Sequence, residues 1–114
     1  MNNPKNANIY FDAAKEYDKV GRHEEAIEFY TKTIEEDMNF KSAYLRRAML
    51  YENRGETEKT IEDYKKVMEL DKTDTYPAER LADIYHKLGN RSESVKYDAE
   101  VAKRKELLRM GIQR

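Results

Sequence analysis

The sequence predicts an all-α fold built from three helix–turn–helix units. Glycine, tyrosine and alanine recur at one fixed step, and the apolar residues fall at helical spacing. No stretch alternates with the period of two and the composition that mark a strand. Of the four glycines, Gly21, Gly55 and Gly89 stand 34 residues apart. Tyr17, Tyr51 and Tyr85 keep the same step, as do Ala14, Ala48 and Ala82, and likewise Ile27, Ile61 and Val95. Columns held in one phase define a repeat.

Within the first unit, Tyr10, Ala13, Ala14 and Tyr17 lie at i, i+3, i+4 and i+7, one face of a helix. Gly21 follows, the residue type that ends a helix where a positive φ is required. A second helix carries Ala26, Ile27, Tyr30 and Ile34 on one face. Its first turn holds Glu24 and Glu25, facing the positive end of the helix dipole. The second unit repeats the scheme with Tyr44, Arg47, Ala48 and Tyr51, then Gly55, then Ile61, Tyr64 and Met68. The third has Ala78, Leu81, Ala82 and Tyr85, then Gly89, then Val95 and Ala102. Pro77 suits the first turn of its leading helix, where no amide donor is needed.

Each column has a packing role. Ala14, Ala48 and Ala82 are expected to face Ala26, Thr60 and Ser94, small residues that let two helix axes approach. The tyrosines are expected to fill space between neighbouring hairpins with their hydroxyls near water. The last helix should run from about Ser92 to Met110, with Lys103, Arg104, Lys105 and Arg109 suiting its C-terminal dipole. Leu107, Leu108, Met110 and Ile112 either fold back on the third hairpin or offer a surface on which another copy stacks.

Composition excludes several functions. Lys plus Arg number 22 against 23 Asp plus Glu, so no basic excess exists to neutralise a nucleic-acid backbone. No apolar run approaches the ~20 residues of a membrane span, and the N-terminus has no signal-peptide core, which makes a cytoplasmic location the default. Without cysteine there are no disulfides, thiolate metal sites or thiol nucleophiles. His23 and His86 fall in different parts of different units. HExxH, a phosphate-cradling glycine loop and GxSxG are all missing, so neither a catalytic site nor a metal or cofactor site is expected.

The order Tyr10, Ala13, Ala14, Tyr17, Gly21, Ala26, Ile27, Tyr30, Ile34 resembles the tetratricopeptide repeat. Residues 7–40 carry it, and residues 41–74 and 75–108 follow in register, leaving 109–114 as an extension of one domain. The proline that often closes a repeat is replaced by Met38, Lys72 and Glu106, and Ala78 stands where the first aromatic belongs. Asp98 replaces the Tyr30 and Tyr64 column, as suits a last repeat whose outer face meets water. The resemblance implies a right-handed superhelical solenoid of three hairpins, an adaptor whose first helices line a concave groove for a peptide segment of a partner protein. The groove positions it implies include Phe11 and Lys15, then Leu45, Arg46 and Met49, then Tyr76, Arg80 and Asp83. Phe11, Leu45, Met49 and Tyr76 can line that groove or pack beneath neighbouring side chains; both readings stand on sequence alone.

Family members that hold the acidic tails of heat-shock chaperones use a clamp of Lys, Asn, Asn, Lys and Arg. The matching positions are Phe11, Lys15, Arg46, Tyr76 and Arg80, of which only Arg80 agrees, which disfavours such tails. The rival expectation is a scaffold that self-associates through its last helix as a weak homodimer.

Overall fold

A computed structural model describes residues 3–111. Among them six helices follow in order: α1 (Pro4–Lys19), α2 (His23–Glu36), α3 (Lys41–Asn53), α4 (Thr57–Leu70), α5 (Tyr76–Leu88) and α6 (Arg91–Arg109). The all-α expectation holds. Packing divides the chain into two compact units, one reaching to Asp63 and one beginning at Tyr64, so that the division falls inside α4.

The repeated Gly and Tyr columns build the turn inside each hairpin. Gly21, Gly55 and Gly89 adopt φ of 82°, 75° and 73°, the left-handed region in which a Cβ would be strained. One residue further on, the amides of Arg22, Glu56 and Asn90 donate to the carbonyls of Tyr17, Tyr51 and Tyr85 at 2.9, 3.0 and 3.0 Å. This closes the preceding helix and aims the next one back along it. At the N-terminus of α1 the Asn3 side chain accepts from the Lys5 amide, and Pro4 occupies a position that needs no donor.

In the first unit, α1 packs on α2 and α2 on α3. Its core joins Ala14, Ala26, Tyr30, Ala43 and Leu50, all buried, with Phe11, Ile27, Ile34 and Phe40 packed against them. Tyr17 packs against this core and stacks on Phe29 of its own hairpin at 5.5 Å. Tyr10 flanks the same ring at 6.0 Å.

The second repeat carries a charged pair on that inner side. Arg47 Nε donates to Asp63 Oδ2 at 2.8 Å and Nη2 to Oδ1 at 2.9 Å, while Nη1 reaches Thr31 Oγ1 at 3.0 Å. The two side chains are only 16% and 6% exposed. The rings of Tyr44 and Tyr51 lie 5.9 and 5.6 Å from the guanidinium. Burial pushes the Asp63 carboxyl above the usual aspartate range, and the bonds from Arg47 only partly oppose it.

The second unit encloses Tyr64, Val67, Ala78, Leu81, Ala82 and Tyr97. Tyr85 stacks on Tyr97 at 5.7 Å, again within one hairpin. Two residues expected on the buried face of α6 are exposed: Val95 at 54%, and Ala102. The equivalent Ile27 is covered by the core that includes α3, whereas no described helix follows α6. Asp98 lies on this exposed side, as expected of a terminal repeat.

Arg104, expected to suit the dipole at the end of the last helix, does more than that: it is 5% exposed and fully engaged. Its Nη1 donates to the carbonyls of Asp71 and Asp74 at 2.9 and 2.8 Å, its Nη2 to Met68 O at 3.3 Å, and its Nε to Glu100 Oε2 at 2.7 Å. One guanidinium thus ties the end of α4 and the segment leading to α5 onto α6.

All six small residues expected at close helix contacts, Ala14, Ala26, Ala48, Thr60, Ala82 and Ser94, are buried. Ala48 is fully so, which gives the first prediction. Ala48→Leu is expected to cost about 1–3 kcal/mol through overpacking, read as a lower midpoint in urea unfolding with unchanged cooperativity. A neutral result would show that α3 has slack on this face.

Candidate peptide-binding site

The positions implied for a groove all lie on first helices: Phe11 and Lys15 on α1, Leu45, Arg46 and Met49 on α3, and Tyr76, Arg80 and Asp83 on α5. They fall into two sets, one in each compact unit.

In the first unit, Lys15 and Arg46 line one open depression of about 410 Å³ together with Glu16, Asp18 and Lys19. Beside it Phe11 is half-buried, 4.7 Å from Phe40 and 5.8 Å from Tyr30, ring centre to ring centre. Lys15 Nζ sits 4.8 Å above the Phe11 ring. Phe11 thus packs on the core on one side and carries the Lys15 ammonium over its ring. Leu45 is half-buried, whereas Met49 is exposed at 37%; neither lines the depression.

Charges in the depression are partly engaged. Lys19 pairs with Glu16 at 3.5 Å, and the Tyr30 hydroxyl donates to Asp18 Oδ2 at 3.0 Å. Burial raises the Tyr30 hydroxyl well above the ordinary tyrosine range, helped by Asp18 and opposed by nearby Arg46. Tyr30 therefore stays protonated and donates. Lys15 meets Asp12 only at 3.8 Å, with both side chains well exposed, a contact that water weakens.

Sequence reasoning did not single out Asp18 or its link to Tyr30. The signal was present in the repeat spacing, because the same pair of positions in the third repeat holds His86 and Asp98, whose Nε2 and Oδ2 lie 3.0 Å apart. Both repeats thus place a polar link across the hairpin beside the turn. His86 is tied to this link, and His23 is an exposed residue opening α2.

In the second unit Tyr76 is 37% exposed and meets Tyr64 edge-on at 6.2 Å. Arg80 Nη1 contacts Asp83 Oδ2 at 2.9 Å, so the charge of the one clamp-like residue is offset by its neighbour on the same helix. No group of three or more His, Asp or Glu able to hold a metal ion occurs among the described residues. No described helix is long and apolar enough to cross a membrane.

Hairpins, turn geometry and small-residue contacts together define a helical-repeat interaction module. A family model for the tetratricopeptide repeat matches residues 7–38 and 42–74, more than half of the chain, and the protein belongs to that family. A search of curated proteins gives no match. Among solved structures, MamA is similar at 23% identity over 88% of this chain and 58% of that one, with a TM-score of 0.81. The first tetratricopeptide domain of Spaghetti (RPAP3), bound to the HSP90 peptide SRMEEVD, is similar at 21% identity over 90% of this chain and 82% of that one, with a TM-score of 0.76. The tetratricopeptide domain of Arabidopsis OM64 is similar at 17% identity over 89% and 84%, with a TM-score of 0.74. At these identities the likeness establishes the fold. This chain spans little more than half the length of the MamA chain.

Proposed function

We propose that the protein is a non-catalytic adaptor that holds a peptide segment of a partner on its first helices. The observation carrying this reading is that Lys15 and Arg46, 31 residues apart in sequence, line one depression beside the half-exposed ring of Phe11. An apolar side chain of the ligand would lie against Phe11 while a neighbouring carboxylate takes the two cations, a mixed apolar and acidic segment. Aromatic and Arg anchors of this type carry much of the binding energy at protein interfaces. The Spaghetti neighbour holds a chaperone peptide, but the clamp positions here keep only Arg80, which Asp83 already engages. The proposed ligand is therefore not a tail of that kind.

The test is recovery of partners from native lysate by the protein and by an Arg46→Glu, Arg80→Glu variant. Arg46 is exposed and Arg80 half-buried, neither in the core, so the variant is expected to fold, which circular dichroism checks, and to lose most of the partner set. Identical sets from both proteins would move the binding site off these residues.

A second reading, self-association, is favoured by one observation. At the end of α6, Leu107 is half-buried while Leu108 and Met110 are 42% and 58% exposed, which leaves apolar surface on which a second copy could stack. Ile112, expected to join them, lies outside the described residues.

A further inference from the structure

A trough of about 310 Å³ runs between the segment following α4 and the last turns of α6, with Leu107 and Leu108 as its apolar lining and Lys72 and Lys103 at its rim. The one carboxylate there, Glu100, is held by Arg104 at 2.7 Å, which leaves the two exposed lysines as excess positive charge. The trough is also preformed, because Arg104 fixes the carbonyls of Asp71 and Asp74 against α6. A site already fixed in shape loses little entropy when it is filled.

The opposite shape and charge occur at the turn between α2 and α3. Met38 is 61% exposed and follows Glu35, Glu36 and Asp37 directly. This turn is rigid as well: the Tyr44 hydroxyl donates to Met38 O at 2.9 Å, and the Asn39 amide donates to Asp37 Oδ1 at 3.0 Å. The sequence holds the same contrast, since positions 35–37 of the first repeat read Glu-Glu-Asp and their equivalents 103–105 in the third read Lys-Arg-Lys.

We infer that the trough receives the Met38 turn of a second copy, with the thioether side chain among the leucines and Glu35 facing Lys72 and Lys103. This rests on the self-association reading and gives it an interface. Methionine suits the role because its flexible side chain adapts to an irregular apolar cleft. The contact joins two different surfaces, the turn of one copy and the trough of another, so a change that breaks either surface breaks the contact between like copies. A contact of this small size is weak and its rim charges are screened by salt.

Sedimentation equilibrium of the full chain tests the contact. The wild type is expected to show a weight-average mass rising about twofold or more above the 13.6 kDa monomer across a hundredfold concentration range, and falling back in concentrated salt. Two variants separate the surfaces: Lys72→Glu with Lys103→Glu, and Glu35→Gln with Met38→Gln, all at positions outside the buried core. Each variant alone is expected to remain monomeric. An equimolar mixture is expected to form a dimer and stop there, because the first variant keeps its turn and the second keeps its trough. A wild type that is monomeric throughout would overturn both the contact and the self-association reading, leaving the trough to another occupant. A wild type that associates while either variant does so equally, or while the mixture stays monomeric, would overturn this contact alone.

Discussion

Replacing Arg47 with alanine is expected to lower the unfolding free energy by about 3–5 kcal/mol, the usual cost of removing one partner of a buried ion pair. For a domain whose total stability is on the order of 5–15 kcal/mol, this brings the chain close to unfolding. The reason lies with Asp63, 6% exposed, which would keep its carboxylate without either guanidinium bond. Thr31 would lose a partner at the same time. The pair itself contributes much less than its removal costs, because burial already pushes Asp63 toward its neutral form. The double variant Arg47→Met, Asp63→Leu is therefore expected to match or exceed the wild type. Urea unfolding of the wild type and these two variants checks this. A single variant that loses less than about 1 kcal/mol would mean that water reaches Asp63 and that the site is not dry.

The same pair marks what the sequence could and could not reveal. Helical spacing placed Arg47 on the buried face of α3 with Tyr44, Ala48 and Tyr51, and it does lie there. Spacing within one helix has no means of naming a partner on the next, so Asp63 went unnoticed. A comparison between repeats would have found it. The equivalent positions are Ala13 with Phe29 and Leu81 with Tyr97, both apolar, and only the second repeat changes both members, to opposite charges. The hairpins were legible because glycine turns and small-residue contacts are local requirements repeated three times over. Val95 and Arg104 were less so, since their surroundings are set by residues from other helices or by the lack of a described helix after α6. The candidate groove follows the same rule. Its positions were placed by repeat spacing, but the link from Tyr30 to Asp18 and the pairing of Arg80 with Asp83 depend on side-chain reach.

Arg104→Ala is expected to destabilise the second unit by about 2–3 kcal/mol. The side chain is 5% exposed and supplies donors to three carbonyls as well as to Glu100, and charged hydrogen bonds of this kind are worth about 1.5–3 kcal/mol each before water replaces part of the loss. The equivalent residue of the second repeat is Leu70, so helix formation does not require arginine there and the loss belongs to the tie. Hydrogen exchange provides a local readout: the amides of Thr73 and Tyr76, beside the released carbonyls, should exchange faster than those in the core of α5. The pH dependence gives a second check. The bond from Arg104 holds the Glu100 carboxyl below its ordinary value of 4.5. A carboxylate depressed in this way stabilises the fold fully above that value and loses its contribution as pH falls through the folded pKa. The stability gap between wild type and variant should therefore narrow below pH 4.5 and be constant at neutral pH. A gap that is the same at pH 3 and pH 7 would show that the arginine acts through the three carbonyls and owes nothing to Glu100.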